Sequence, residues 1–326
     1  MNTRRELLVV LGAGMLARPL AALAQPKQPV LIGWLSTNVP DPGRWAVAFK
    51  EELAAQGWKE GLHYRIEARS ADGRIERLQP LAEELATTGC AVIVTVLGVA
   101  TAAAARAAPG TPIVQANGAS PVDLGLAKSL ARPGGMVTGV TAIPRELAAK
   151  SLELLLAAAP GVKRVGFLVD PHSYSHHDTL TTVRRAAEHH RVKAYFAMAA
   201  NAEELEPAIS RLATEGVQGL IPLPSTWFVS ARARIVNLAL SHRWPMIYGV
   251  SSFADEGALL AYGADRQALQ RRAAYFVVRI LKGARPGDLP IEQPTKFELV
   301  INMKTARLLG LEIKPELLVR ADRIIE

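Results

Sequence analysis

The chain is poor in residues that staple, anchor or catalyse. It holds one cysteine, Cys90, so no internal disulfide can form and the redox compartment stays open. Cys90 precedes the apolar run Ala91–Leu97 without a local histidine or aspartate pattern, which reads as a structural thiol rather than a nucleophile. Beyond the N-terminal segment no apolar run is long enough to span a bilayer. No arginine-rich run interleaved with aromatics is present, which argues against a nucleic-acid partner. Catalytic motifs are missing too. Ser120 sits in Gly-Ala-Ser-Pro-Val and Ser251 in Gly-Val-Ser-Ser-Phe, neither completing G-x-S-x-G, and neither a Walker loop nor H-E-x-x-H occurs.

What is present is an ordinary globular composition. The 326 residues are 49% hydrophobic and 21% charged, enough to bury sizeable cores and better suited to two domains than one. The net charge is +8, and its lysines and arginines are scattered along helix-like segments. Three arginines and one glutamate fall in the first 24 residues, whose removal leaves about +6.

Those residues read as a targeting signal: Arg4-Arg5, the apolar stretch Leu7–Leu16, and Ala22-Leu23-Ala24 before Gln25. A competing G-x-G-x-x-A pattern, Gly12, Gly14 and Ala17, resembles a dinucleotide-binding turn. Pro19 falls too early in the helix that such a turn requires. The expectation is an exported, periplasmic protein using the general or twin-arginine route, with cleavage after Ala24 or retention of the segment both open.

The organising stretch is Ser129–Pro144. Before it, apolar strand-like runs alternate with alanine-rich helical runs from about residue 30, and the alternation restarts near Ala148. Pro133-Gly134-Gly135 must turn, and Met136–Ile143 reads as an extended connector. The reading is an α/β protein with two Rossmann-like lobes of parallel strands joined by a three-crossing hinge. Lobe 1 is expected over 28–143 plus 264–288, and lobe 2 over 144–263 plus 289–326. The second and third crossings are expected at 258–263 and 287–290.

Such sheets bind ligands beyond the carboxyl ends of their strands. In lobe 1 that rule selects Ser36 and Thr37, then Gly98, Ala100 and Thr101, then Ser120. A glycine after a buried strand, followed by a threonine at a helix start, would present backbone N–H groups to an anion such as a carboxylate, or would be an ordinary helix cap. In lobe 2 it selects Asp170, Ser225, Thr226, Ser251 and Ser252. Asp170 is the fixed negative charge of the set and suits an ammonium group, although a turn residue before Pro171 would look the same. His172, His176, His177 and Asp178 invite a metal reading, but Pro171, Ser173 and Ser175 make the segment a loop, and neither a metal nor a cofactor is expected.

Several segments carry a resemblance: Ser-Leu-Ala-Arg-Pro-Gly-Gly with Val-Thr-Gly (129–139), Arg-Ala-Arg-Ile (232–235), Ile247-Tyr248-Gly249, Ala261-Tyr262-Gly263, the run Ile280–Asn302, and the closing Leu317–Glu326. Together they resemble the ABC-transporter substrate-binding proteins of the tryptophan/tyrosine-type uptake group. The resemblance implies a type I periplasmic-binding fold, a monomer without catalytic residues, and capture of a small solute between the lobes. It also implies delivery to a membrane permease and its ATPase. Where that group commonly has Asp-Pro this chain has Ser120-Pro121, where it tends to Pro-Asp-Pro there is Pro224-Ser225-Thr226, and Gly-Gly-Asn is Gly134-Gly135-Met136. Hydroxyls thus replace two acidic partners, leaving an amino acid, another carboxylate or a neutral solute open. An exported α/β enzyme acting on a small metabolite is the alternative.

Overall fold

The computed structural model describes residues 28–37, 42–141, 144–172 and 176–326. The N-terminal signal expectation lies outside them. The chain begins with β1 (Val30–Ser36), α1 (Pro42–Ala55), β2 (Tyr64–Ser70), α2 (Leu78–Thr87), β3 (Val92–Val96), α3 (Gly98–Ala107), β4 (Ile113–Asn117) and β5 (Val137–Val140). A second series follows: α4 (Pro144–Ala158), β6 (Arg164–Val169), α5 (His176–His189), β7 (Lys193–Met198), α6 (Leu205–Thr214), β8 (Gly219–Pro222), α7 (Thr226–Ser230), α8 (Arg232–Ser241), β9 (Ile247–Tyr248), α9 (Ser252–Glu256) and β10 (Leu260–Ala264). The chain then returns through α10 (Arg266–Leu281) and β11 (Ile291–Glu292), and ends with β12 (Phe297–Asn302), α11 (Met303–Leu309), α12 (Pro315–Leu318) and β13 (Arg323–Ile325).

Lobe 1 is a six-stranded sheet in the order β11-β5-β4-β3-β1-β2, parallel throughout. Alternate residues of β1 face opposite ways, as a pleat requires. Ile32 and Trp34 pack with Phe49 and Leu53 of α1 and with Ala273, Phe276 and Val277 of α10. Leu35, on the other face, packs with Leu78, Leu81 and Leu85 of α2 and Ala100, Ala103 and Ala104 of α3. Lobe 2 pairs β7-β6-β8 and β9-β10-β12-β13, and the bridge Leu220↔Met246 joins these two groups edge to edge. All its pairings are parallel except β10 with β12. α4, α5, α11 and α12 cover one face over Phe167, while α6 and α8 cover the other over Leu168 and Leu220.

Three differences from the expected boundaries concern the hinge and the cleft. Ala258–Gly263 is not a crossing. Its residues 260–263 begin β10, a strand of lobe 2, and the chain crosses at Asp265, whose carboxylate caps α10 by accepting from the N–H groups of Gln267 and Ala268. Residues 287–290 are not a crossing either. Pro286–Asp288 is a 3₁₀ turn, and Gly134 N–H donates to the carbonyl of Gly287 at 3.0 Å, so the Pro133-Gly134-Gly135 turn docks on it. β11 then pairs with β5, so the chain stays with the six-stranded sheet past the boundary expected after residue 288 and crosses over 293–296. Finally, α5 starts at His176, which puts His176, His177 and Asp178 on its first turn rather than in a loop.

The crossings are tied to one another. Thr141 N–H donates to Glu292 carbonyl at 2.8 Å, and Arg272 of α10 holds the Glu292 carboxylate through Nε and Nη2 at 2.5 and 2.6 Å. Asp265 N–H donates to the Lys296 carbonyl at 2.9 Å, while Lys296 Nζ lies 3.1 Å from the Asp265 carboxylate. The strands entering the first two crossings each carry a glycine against a neighbouring backbone. A Cβ on Gly139 of β5, where φ is +123°, would overlap the carbonyl oxygen of Gln115. A Cβ on Gly263 of β10 would overlap that of Gly249. The Val-Thr-Gly and Ala-Tyr-Gly segments therefore need glycine for close backbone approach.

Candidate functional site: the strand ends of the two lobes

Each sheet has one place where the strand order reverses, and a crevice opens there beyond the carboxyl ends. In lobe 1 it lies between β1 and β3, and in lobe 2 between β6 and β8. Ser36 and Thr37 end β1 and are both buried. The carbonyl of Ser36 accepts from Ala71 N–H and that of Thr37 from Gly73 N–H, which fixes the loop after β2 beside them.

Across this crevice is the turn from β3 into α3. Leu97 adopts φ +76°, ψ +148°, a conformation that costs a non-glycine residue about 1–3 kcal/mol. The neighbouring loop holds it in place: Leu97 N–H donates to Asn117 carbonyl at 2.7 Å, and a Cβ at Gly118 would overlap Gly98 N. Gly98 is the first residue of α3, three residues earlier than a threonine cap would put the start. Thr101 therefore lies inside the first turn. Its hydroxyl, fully buried, is 2.8 Å from the Thr95 hydroxyl and 2.9 Å from Gln115 Oε1, and Ala100 is in the core. The side chains of Ala100 and Thr101 thus face the lobe interior, and Gly98 with the half-buried Val99 forms the edge of the turn. Ser120 is half-buried in the loop after β4, and its carbonyl accepts from Leu124 N–H.

The crevice of lobe 2 is built around a carboxylate. Asp170 follows β6 and is 8% exposed. Ser225 Oγ donates to Asp170 Oδ2 at 2.6 Å, and the His172 N–H donates to Oδ1 at 2.9 Å. Ser225 is held in turn by Tyr248 at the end of β9, whose phenol accepts from Ser225 N–H at 3.2 Å and donates to Ser225 carbonyl at 3.1 Å. Burial pushes the Tyr248 phenol well above the ordinary tyrosine range, and the Asp170 charge pushes it the same way, so the ring stays neutral and able to donate. Asp170 and Ser225 come together as the strand-end rule expects. The backbone groups of Ser225 are engaged by Tyr248 and its hydroxyl by Asp170, so it positions the carboxylate.

The remaining lobe 2 residues sit further along the same edge. Thr226 begins α7, and its side chain lies outside the described residues. Ser251 and Ser252 are half-buried after β9, and the Ser251 side chain hydrogen-bonds the Glu298 carboxylate of β12. Burial raises the Glu298 carboxyl above its usual range, against the opposing pull of Arg323. His172 is exposed beside the crevice. Among the described residues no group of three or more histidine, cysteine, aspartate or glutamate side chains gathers as a metal site. No helix among them is long and apolar enough to cross a membrane.

Gln115, Tyr248 and Arg266 escaped the sequence reading. Gln115 stands inside an apolar strand, where a lone amide signals an internal partner. Tyr248 was visible only as part of Ile-Tyr-Gly, since its partner lies 23 positions away. Arg266, half-buried where the second crossing enters α10, has its guanidinium pushed down to about 10 by burial.

Comparison with known proteins places this arrangement. Residues 40–325 match the family model described as ABC transporter substrate binding protein. A tyrosine-binding protein of Clostridioides difficile (strain R20291) is 24% identical over 265 residues, 81% of this chain and 76% of that protein. Among solved structures, an ABC domain in complex with L-Trp from Streptococcus pneumonia superposes with a TM-score of 0.83 at 23% identity, covering 91% of this chain and 100% of the other. A ligand-free, open substrate binding protein with adhesive properties from Clostridium difficile superposes at 0.70 with 21% identity, covering 91% and 99%.

Proposed function

The chain belongs to the family of ABC transporter substrate binding proteins, and on that premise we propose that it captures an amino acid by its ammonium group at Asp170. The observation that carries this reading is the Asp170 carboxylate at the lobe 2 crevice, held by Ser225 and, through it, by Tyr248. A carboxylate fixed by two donors keeps lone pairs for a third, and an ammonium ion is the complementary partner. The departure from the group's acidic pattern at residue 225 is thereby offset, because the charge stands next to it. The similar proteins named for tyrosine and for a complex with L-Trp support an aromatic amino acid. The edge of lobe 1 formed by Thr37, Gly98 and Ser120 would face its carboxylate.

Binding that favours the closed arrangement shifts the lobes together about the three crossings. The closed, loaded receptor would then deliver its solute to a permease driven by an ATPase. We further propose that lobe 1 comprises residues 28–143 with 264–292, lobe 2 the remainder, and that the first 24 residues direct export to the periplasm of a monomer.

Calorimetry with L-tyrosine, L-tryptophan and their deamino analogues tests the reading. An amino acid is expected to bind about tenfold or more tightly than its deamino analogue, as a lost charged hydrogen bond requires. Equal affinity for both would remove Asp170 from the site, no binding would remove the aromatic class, and turnover of either probe would favour the enzyme alternative.

A further inference from the structure

A buried amide lies between the lobe 1 loop that lines the cleft and the first crossing. Gln115 is fully buried in β4. Its Nε2 is 3.1 Å from the carbonyl of Ala119, the residue before Ser120, and 3.0 Å from the carbonyl of Val140, the last residue of β5. Two carbonyl acceptors beside one atom fix that atom as the NH₂ group. Oε1 then accepts from Thr101 Oγ1, whose single proton is thus engaged, so that Thr95 Oγ1 donates to Thr101. Next to this bridge, Thr141 Oγ1 donates to Gly118 carbonyl at 3.3 Å, a second tie between the same two segments.

We infer that Gln115 is a positioning residue that makes loop 118–121 and the start of the first crossing move as one unit. Its two amide hydrogens reach one acceptor in each segment, and no water competes in a fully buried site. A shift of the loop toward a solute would pull on Val140, the last strand residue before the chain leaves lobe 1. The effect on affinity rests on the proposed solute site, whereas the coupling does not.

Hydrogen exchange of the ligand-free full-length protein separates the two. In Gln115→Met, which conserves volume and removes the amide, exchange is expected to quicken by about tenfold in Gly118–Leu124 and Val140–Thr141, while β1 and β3 stay within about twofold. Gln115→Asn, which withdraws the amide by one methylene, should do the same at smaller amplitude and serves if the first variant does not fold. Unchanged exchange in both segments, or equal quickening throughout lobe 1, would overturn the inference. L-tyrosine and L-tryptophan affinities should fall in parallel. If neither binds the parent protein the proposed function fails, and the exchange result still decides the role of Gln115.

Discussion

At the crevice of lobe 1 the buried polar groups are neutral, a chain of Thr95, Thr101 and Gln115 that ends on two backbone carbonyls. In lobe 2 they encircle the Asp170 carboxylate, reached through Ser225 and Tyr248. The two sheets share a topology and each reverses strand order beside its polar network, so fold alone does not set the difference. A neutral, fully satisfied network fixes shape without favouring a charge, whereas a carboxylate with two donors fixes shape and chooses the sign of what it meets. Lobe 1 is thus equipped to orient and lobe 2 to select.

The deepest likeness between the lobes is the glycine at each entry to the hinge, and breaking it should have the largest effect. Gly139→Ala and Gly263→Ala each force a methyl into a neighbouring carbonyl and should lower stability by about 3 kcal/mol or more, read by chemical denaturation. Equal tolerance of both substitutions would mean that the strands can part at little cost. The charge contrast comes next. Asp170→Asn should weaken binding of an amine-bearing probe by about 30-fold or more, with a much smaller change in unfolding midpoint. A comparable loss from Gln115→Met with no loss from Asp170→Asn would reverse the assignment of the lobes. Tyr248→Phe strips the Ser225 N–H and carbonyl of their partner and should destabilise lobe 2 by about 2 kcal/mol.

The alkaline limb compares a buried tyrosine in each lobe. Burial, aided by Glu60, pushes the Tyr64 phenol up to about 12, and the Tyr248 phenol is raised as well. The folded state therefore holds these protons more tightly than the unfolded chain, whose phenols titrate near 10. Their contribution is fully present below about pH 10 and is lost as pH rises toward about 12, so thermal stability should be flat in this respect up to pH 10 and then decline. In Tyr64→Phe and in Tyr248→Phe the decline should be shallower. Smallest of all, Ser251→Ala should leave affinity within about threefold, because its hydroxyl is engaged with Glu298 inside lobe 2.

Much of this was readable from periodicity. The alternation of apolar strands with helices located most elements of both lobes, and Pro133-Gly134-Gly135 marked a real turn. The hinge boundaries were harder, because β11 is two residues long and pairs with Gly139, far back in the chain. No local signal encodes such a partner. At the site, Asp170 and Ser225 followed from the strand-end rule, while Thr101 did not. The run Gly98–Ala107 is so rich in alanine that nothing in it marks the helix start, and the hydroxyl was counted outward when it turns inward to Gln115. The strain at Leu97 was equally silent, being imposed by the loop around Gly118.

The late arrival of α10 sets the order in which the molecule can assemble. Phe276, Val277 and Ile280 complete the face of lobe 1 that Ile32 and Trp34 begin, and β12 supplies Leu299 and Ile301 to the core of lobe 2. Neither core is closed when only the first 260 residues of the chain have been made. A nascent chain therefore holds two open cores until its last fifth emerges, and such long-range closure slows folding. The same connectivity joins the two halves into one late folding event, so loss of the C-terminal segment should expose both cores together.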